Sequence, residues 1–206
     1  IIVISGSNAL LRQKTMGRYL DKQGPAIRYL ISQFEVPLNL VGYAFAKAKG
    51  FGATTVLNPS PMRSIPNKLI EQTDIFVLNE LELTQVTGLT NSISSPEKAA
   101  QLALRWREQI GKKTIVVTLG ENGLVAIQDN KVIKQPAKRV AKVIDTTGAG
   151  DCFCGTLVAL LYKGYPLEES LAFAQKTVAY SIQRRGASPS FPKLETLNIN
   201  ETKGET

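Results

Sequence analysis

The chain has 206 residues, of which 43% are hydrophobic and 20% are charged, so it can form one domain with a substantial core or at most two small ones. It contains no histidine, which excludes Ser–His–Asp catalysis, Cys–His catalysis and histidine metal sites within this chain. The net charge of +8 comes from scattered basic residues with no interleaved aromatic stripe, a pattern that indicates a solvated surface and argues against a nucleic-acid partner.

Apolar strands alternate with amphipathic helices along the chain. In chain order, the pattern predicts a strand at 1–5, a strand at 27–32, a helix at 37–50, a strand at 53–58, a strand at 74–79, a helix beginning near Glu80, a helix at 95–110 with Ser95 as its N-cap, a strand at 113–120, a hairpin at 123–135 that turns at Asp129-Asn130, a strand at 141–145, and helices at 149–163 and 167–184. Continuous apolar strands joined by helices predict an α/β fold with a mostly parallel sheet covered on both faces. We expect a single domain over residues 1–206, with a frayed polar end, NINETKGET.

The two cysteines and the opening residues indicate the compartment. Cys152 and Cys154 lie close together on a predicted helix and point in different directions, which makes them poor disulfide partners. The opening IIVISGSNALL lacks the basic region and the cleavage site of a signal peptide, and no run approaches the ~20 apolar residues of a membrane span. We therefore expect a cytoplasmic protein with no membrane partner.

The stretch DTTGAGDCFCGTL, residues 145–157, joins a predicted strand to the next helix. Gly148 and Gly150 lie at the carboxyl end of that strand, where open α/β sheets bind ligands. Glycine allows successive N–H groups to turn towards one point, and the helix N-terminus adds about half a positive charge. We therefore expect an anion hole, with phosphate as its ligand.

Two common phosphate motifs do not fit this stretch. A dinucleotide-binding pattern would need a glycine in place of Phe153, and GKK at 111–113 lacks the Ser or Thr of a Walker A loop. Asp151 has two interpretations that loop chemistry leaves open. It can be the helix N-cap, a position that Asp favours, or a general base, since a carboxylate beside a phosphate site calls for a chemical reason.

The same stretch resembles the C-terminal signature of the ribokinase-like, or PfkB, family of carbohydrate kinases. NELE (79–82) resembles the family's Asn-x-x-Glu motif, and TLGENG (118–123) resembles its nucleotide loop. Four further stretches resemble the ribokinase branch of the family: IIVISGSN (1–8), SQFEVP (32–37), LNPSP (57–61) and RRGASPSFP (184–192). The resemblance covers nearly the whole chain and implies a three-layer α/β/α ribokinase-like fold.

The resemblance implies transfer of the γ-phosphoryl of ATP to the 5-hydroxyl of D-ribose, giving ribose 5-phosphate. Asp151 would be the catalytic base. The backbone from Gly148 to Asp151, with the amides of Ala149, Gly150 and Asp151, would form the anion hole for the transferring phosphoryl.

For the nucleotide, the resemblance implies that Asn79 and Glu82 organise Mg²⁺ and the phosphates, largely through water. Four positions would line the nucleotide: Thr118, Gly120, Gly123 and Gln175. Without the resemblance, Glu82 could be an exposed helical charge, and TLGENG could be a plain hairpin turn.

For the sugar, the resemblance implies that Glu35 contacts the ribose hydroxyls and that Asn8 lies near the sugar and phosphates. Glu35 could otherwise be a charge at a strand end. The resemblance also implies a K⁺ beside the anion hole, held mainly by carbonyl oxygens. The matching positions are Asp145, Thr147, Ser181, Arg184 through its carbonyl, Gly186 and Ser190.

The chain departs from the family at its beginning. Family members carry, ahead of the stretch that matches Ile1, the first strands of the sheet, a Gly-Gly sugar motif and a β-stranded lid that often makes a dimer. We therefore expect the nucleotide-binding and catalytic two-thirds of a ribokinase, with an exposed apolar strand edge, and a homodimer for the complete protein through the lid. The alternatives are a fructokinase, a 2-keto-3-deoxygluconate kinase or a nucleoside kinase, or a truncated fragment that binds nucleotide without catalysis.

Overall fold

The computed structural model describes residues 6–89, 93 and 95–193 of the chain. Its contacts divide the chain into two compact units, Ile1–Gln135 and Pro136–Thr206. The strand predicted at 1–5 and the end predicted to be frayed lie outside the described residues. The single domain over 1–206 stays a prediction.

Strands and helices alternate through the first unit. The strands are β1 (Tyr29–Ser32), β2 (Thr54–Leu57), β3 (Ile75–Asn79), β4 (Thr114–Thr118), β5 (Leu124–Gln128) and β6 (Lys131–Gln135). The helices are α1 (Gln13–Gln23), α2 (Leu38–Gly50), α3 (Asn67–Gln72), α4 (Glu80–Val86) and α5 (Pro96–Ile110), with short 3₁₀ helices at Gly6–Leu10, Gly24–Ala26 and Gly120–Asn122. In the second unit, α6 (Ala149–Tyr162) and α7 (Leu167–Ser181) precede a 3₁₀ turn at Ser188–Ser190.

The strands form one sheet in the order β1-β2-β3-β4-β5-β6. β1 to β4 are parallel, β5 runs antiparallel to β4, and β6 runs antiparallel to β5. The predicted hairpin is confirmed, with Asp129 at φ 51° in its turn, a left-handed conformation that Asp tolerates. Helices connect the parallel strands, so the predicted α/β class with a mostly parallel sheet is confirmed.

Strand β3 shows why these strands are continuous apolar runs. Phe76 and Leu78 project from one face and Val77 from the other, and all three are at most 3% exposed. The Phe76 ring meets the Trp106 ring of α5 edge-on, with 4.9 Å between their centroids. Both rings belong to the main hydrophobic core, which the amphipathic face of α5 completes. Burial on both faces of the strand is therefore what its unbroken apolar sequence encodes.

Helices α1 and α3 were not predicted from the sequence. Helix α1 begins after Arg12, which makes no side-chain cap, and only Gly17 and Leu20 of its residues are buried. Its Gly17 allows a close approach to α2, because a Cβ there would meet the Tyr43 hydroxyl. Tertiary packing therefore forms a helix where the local signals are weak. Helix α3 is only six residues long and also lacks a side-chain cap.

The strand predicted at 141–145 is wrong. The backbone N–H groups of Ile144 and Asp145 both donate to the Ile182 carbonyl, at 2.8 and 3.2 Å, instead of forming a ladder. Val143 is 53% exposed, so this short apolar run is not part of a core. The helix predicted at 167–184 ends earlier, at Ser181, and the Arg184 amide closes a turn onto the Ser181 carbonyl at 2.9 Å.

The structure can be compared with two of the observations on which the expected compartment rests. Cys152 and Cys154 are buried and are not joined by a disulfide, as expected from their spacing. Within the described part of the chain, no helix is both long and apolar enough to span a bilayer.

We expect Phe76→Ala to lower the free energy of unfolding of the first unit by about 3–5 kcal/mol, because it removes a buried ring and leaves a cavity. Trp106 is the only tryptophan in the chain and contacts Phe76, so its fluorescence during urea unfolding is the measurement. Leu104→Ala is the control on the same core helix, since Leu104 is 37% exposed, and it should cost about 1 kcal/mol or less. Equal losses for the two variants would contradict the core described above.

Candidate active site

The end of β3 is built from a pair of residues that cap helix α4. The Asn79 side chain accepts a hydrogen bond from the Glu82 N–H at 2.8 Å, and Glu82 Oε2 accepts one from the Asn79 N–H at 2.9 Å. This reciprocal capping box satisfies two amides that the first helical turn would otherwise leave unpaired. Glu82 is only 3% exposed, so the interpretation as an exposed helical charge is wrong.

Burial governs the electrostatics of Glu82. Removal from water raises the pKa of its carboxyl group, and hydrogen bonds from the Asn79 amide and the Ser60 side chain act in the opposite direction. Ser60 was not predicted as a site residue, although it lies in the LNPSP stretch. The two prolines there signal a loop at the end of β2, but nothing local shows which strand the loop contacts.

Thr118 lies beside Asn79 at the same edge of the sheet. The two residues are register partners at the ends of β4 and β3, and the Thr118 hydroxyl donates to the Leu78 carbonyl at 3.3 Å. Gly120 and Gly123 have φ values of 52° and 88° in the tight connection from β4 to β5. The hairpin-turn interpretation of TLGENG is therefore confirmed, and this turn also follows directly on the edge that carries Asn79.

Glu35 also lies at the carboxyl edge of the parallel strands. It follows β1, it is exposed, and the preceding Phe34 amide donates to the Ser60 carbonyl at 2.8 Å. One strand, β2, separates β1 from β3, which corresponds to about 10 Å at the usual strand spacing. Asn8 is exposed in the 3₁₀ turn ahead of α1, and its place near the sugar stays a prediction.

In the second unit, Gly148 begins helix α6 from a left-handed conformation, with φ 76°. Gly148 is the N-cap and Asp151 is the third residue of the helix, so the interpretation of Asp151 as the N-cap is wrong. The Ala149 amide donates to the Thr146 carbonyl at 3.1 Å, and the Cys152 amide makes the first helical bond, to Gly148 at 2.8 Å. Asp151 is exposed at a helix end where negative charge is favoured.

Asp151 opens onto a groove of about 280 Å³ between α6 and α7. The groove is mostly apolar, and its walls include Thr156, Phe173, Thr177 and Phe191. Two of these, Thr156 and Thr177, join their hydroxyl groups at 3.1 Å. The carboxylate of Asp151 is therefore accessible from a formed depression in the second unit.

Close packing explains why residue 148 is glycine. A Cβ added there would lie 2.8 Å from the Ala187 Cβ and 3.3 Å from the Phe191 ring. Neither Ala187 nor Phe191 was singled out as a site residue from the sequence, since both act only by shape.

Asp145 connects the same two segments by hydrogen bonds. Its carboxylate accepts from the Thr147 amide at 2.9 Å and from the Gly186 amide at 2.8 Å. The Thr147 hydroxyl, these two amides and the charge of Arg185 lower the pKa of Asp145 to about 2. The carboxylate is therefore held in its charged form at neutral pH.

The remaining predicted metal and nucleotide residues of the second unit lie on α7 and just beyond it. The buried hydroxyls of Ser181 and Ser190 are 2.6 Å apart, and Ser190 also donates to the Ala187 carbonyl at 2.7 Å. The Arg184 guanidinium lies 3.4 Å over the Tyr180 ring and donates a hydrogen bond to the Tyr180 backbone carbonyl. The positive charge of Arg184 is therefore already engaged by Tyr180. Gln175 is half-buried in α7.

Comparison with known proteins identifies the family. A family model described as the pfkB family carbohydrate kinase matches residues 35–194. The chain belongs to the pfkB family of carbohydrate kinases. The matched range includes the GAGD turn, the Asn79–Glu82 pair and the TLGENG connection, and the resemblance of the chain to this family is confirmed.

Relatives of this pfkB family member include two curated ribokinases. The chain is 37% identical to ribokinase from Staphylococcus aureus over 173 residues, which cover 82% of this chain and 55% of that protein. It is 34% identical to ribokinase from Dictyostelium discoideum, over 96% of this chain and 66% of that protein. The solved structure of Arabidopsis thaliana ribokinase complexed with ribose and ATP matches all of this chain and 65% of its own, with a TM-score of 0.84 and 26% identity. The ribokinase-like fold is confirmed, and the chain spans between about half and two-thirds of these relatives.

We expect Gly148→Ala to destabilise the second unit by about 2–4 kcal/mol, because alanine is strained in the left-handed conformation and its Cβ would collide with Ala187. Urea unfolding followed by far-UV circular dichroism measures the loss. Gly155→Ala is the matched control, because Gly155 lies in the interior of α6 with no atom within 4 Å of the added Cβ. That control should be neutral or stabilise by up to about 1 kcal/mol, and an equally stable Gly148→Ala variant would contradict the packing.

Proposed function

We propose that this chain is the nucleotide-binding and catalytic part of a kinase that transfers the γ-phosphoryl of ATP to the 5-hydroxyl of D-ribose. The observation that carries the proposal is the GAGD turn, in which Gly148 caps α6 and leaves the exposed Asp151 in its first turn. Support for the substrates comes from the Arabidopsis thaliana relative, which is a ribokinase complexed with ribose and ATP.

Asp151 is the general base in this mechanism. Its carboxylate takes the proton of the ribose 5-hydroxyl while that oxygen bonds to the γ-phosphorus and the bond to the ADP oxygen breaks. The products are ribose 5-phosphate, ADP and one proton, which leaves through Asp151. An accessible carboxylate in the first turn of α6, at the mouth of the groove, suits this role because the sugar hydroxyl can reach it.

The first turn of α6 is the anion hole for the transferring phosphoryl group. Gly148, Ala149, Gly150 and Asp151 supply its backbone, and amides at a helix N-terminus point towards the ligand. The Ala149 amide already donates to Thr146, so the exposed Gly150 amide is the better donor for the phosphoryl oxygens.

Mg²⁺ fits the Asn79–Glu82 pair only through water and phosphate. Glu82 Oε2 accepts from the Asn79 amide, and no group of three or more His, Cys, Asp or Glu able to hold a metal occurs among residues 6–89, 93 and 95–193. Mg²⁺ keeps several of its waters and binds protein through one or two carboxylates plus substrate phosphates, which matches this donor set. When bound, Mg²⁺ would neutralise negative charge on the phosphates of ATP.

The remaining assignments follow the family. In the first unit, Thr118, Gly120 and Gly123 are the residues we propose for nucleotide binding. In the second unit, Gln175 is the residue we propose for the adenine. Glu35 and Asn8 bind the sugar. A cytoplasmic location and a homodimer of the complete protein stay predictions.

K⁺ fits the oxygen-rich segment around Asp145. The donor set combines one carboxylate with hydroxyl and carbonyl oxygens, which suit a hard monovalent cation. The residues that would hold it are Asp145, Thr147, Ser181, Arg184, Gly186 and Ser190. The lowered pKa of Asp145 keeps a negative charge available there at neutral pH. When bound, K⁺ supplies positive charge beside the anion hole.

We expect Asp151→Asn to lower ribose-dependent ADP release by about 100- to 10,000-fold, the usual contribution of a general base, while ATP affinity changes little. Asp129→Asn is the control, since Asp129 is an exposed turn residue whose conformation Asn also adopts. Unchanged turnover in Asp151→Asn would remove Asp151 as the base.

In the same assay, faster ADP release with fructose than with ribose would favour a fructokinase, and ATP binding without turnover on any sugar would favour a non-catalytic fragment.

We expect ADP release to be several-fold faster in K⁺ than in Na⁺ at equal ionic strength, because the smaller Na⁺ fits a site of fixed carbonyl oxygens less well. Initial rates at saturating ribose and ATP measure the difference. Equal rates in the two salts would contradict the K⁺ site.

A further inference from the structure

Asn58 connects the ends of three neighbouring strands. It follows β2, and its backbone N–H donates to the Ser32 carbonyl at the end of β1, at 3.0 Å. Its side-chain Nδ2 donates to the Val77 carbonyl in β3, at 2.8 Å. A single half-buried residue therefore holds β1, β2 and β3 together at their carboxyl edge.

The bond to Val77 is needed because β3 is longer than β2 at this edge. The last register partners of these strands are Leu57 and Phe76, whereas β3 continues to Asn79. The residue after Asn58 is Pro59, which has no backbone N–H and cannot extend the ladder. The Asn58 side chain supplies the donor that the β2 backbone lacks, and so satisfies the Val77 carbonyl.

The end of β3 is held from its other side as well. The Thr118 hydroxyl of β4 donates to the Leu78 carbonyl at 3.3 Å. Val77 and Leu78 directly precede Asn79, whose side chain and amide form the reciprocal box with Glu82. The end of β3, which pairs with β4 as far as Asn79, is therefore also held by two side-chain donors, one from the residue after β2 and one from β4.

The loop that begins at Asn58 also reaches the segment before Glu35. The Ser60 amide donates to the Asn58 carbonyl and the Phe34 amide donates to the Ser60 carbonyl, each at 2.8 Å. Phe34 is fully buried, which anchors the start of that segment. Asn58 is thus the shared support of the loop after β1 and of the end of β3.

We propose that Asn58 is a positioning residue, which holds the end of β3 so that Asn79 and Glu82 can bind Mg²⁺ and the phosphates of ATP. The structural half of this inference is that Asn58 supports the Asn79–Glu82 box. The functional half rests on the proposed function.

The sharpest variant is Asn58→Asp, which keeps the shape of the side chain but turns the donor to Val77 into an acceptor. The matched control is Thr73→Val, which also removes a buried side-chain bond to a backbone carbonyl, from Thr73 to Leu69 at 2.7 Å, at the opposite end of β3. Amide hydrogen exchange, measured by NMR on the full chain without nucleotide, is the first readout. We expect the Asn79 and Glu82 amides to exchange at least about tenfold faster in Asn58→Asp than in Thr73→Val.

The second readout is the affinity for ATP with and without Mg²⁺. We expect Asn58→Asp to weaken ATP binding about tenfold in the presence of Mg²⁺ and to change binding little without it. Thr73→Val should leave both affinities within about twofold, since a purely structural loss has no reason to depend on Mg²⁺.

Each outcome decides one half of the inference. Equal exchange at Asn79 and Glu82 in the two variants overturns the structural half, and faster exchange with unchanged ATP affinity overturns the functional half. A wild-type chain that binds no ATP contradicts the proposed function, and the exchange measurement still decides whether Asn58 supports the box. If Asn58→Asp does not fold, Asn58→Ser is measured in the same way, because its side chain is too short to reach Val77, and unchanged exchange there overturns the proposal.

Discussion

The ending of parallel strands at one edge of the sheet is the constraint on which the first unit's site depends. Beyond the last ladder pair, each buried amide or carbonyl needs another partner, because leaving one unpaired costs about 1–3 kcal/mol. On its β2 side, where the ladder stops at Phe76, the end of β3 meets this need with side chains: Asn58 donates to the Val77 carbonyl, and Asn79 and Glu82 cap the next helix. The polar residues that finish the strands therefore lie at the edge where open α/β sheets bind ligands.

The second unit depends on the close approach of two segments that are distant in sequence. Gly148 has no Cβ and so admits Ala187, while Asp145 bonds to Gly186, 41 residues further along the chain. Both contacts fix the turn from which α6 begins, and with it the position of Asp151. The lack of a side chain at Gly148 and the hydrogen-bonded carboxylate of Asp145 therefore hold the same turn in place by different means.

The sequence predicts the elements whose signal is carried by their own residues. Strand β3 is an unbroken apolar run and α5 has a capped amphipathic pattern, and the structure contains both close to their predicted limits. The strand predicted at 141–145 fails because an apolar run also needs a neighbour to pair with, and its amides bond to Ile182 instead. Helix α1 was not predicted because its stability comes from contact with α2, where Gly17 meets Tyr43. In the site, motif spacing indicated Asn79, Glu82 and Asp151, whereas Asn58 and Ala187 act through partners that no local pattern reveals.

Under the proposed function, Glu82 would combine its structural role in the capping box with a role in binding Mg²⁺ and phosphate. Burial raises its pKa, which is a cost of placing an acid inside the capping box. A cation beside it would favour the charged form, so a bound Mg²⁺ would reduce the cost that burial imposes. Asp151 is instead exposed in the first turn of a helix, where a proton can arrive and leave. Under the proposed function, these two environments would suit two different tasks: the buried, hydrogen-bonded Glu82 would hold charge in place, and the accessible Asp151 would exchange a proton.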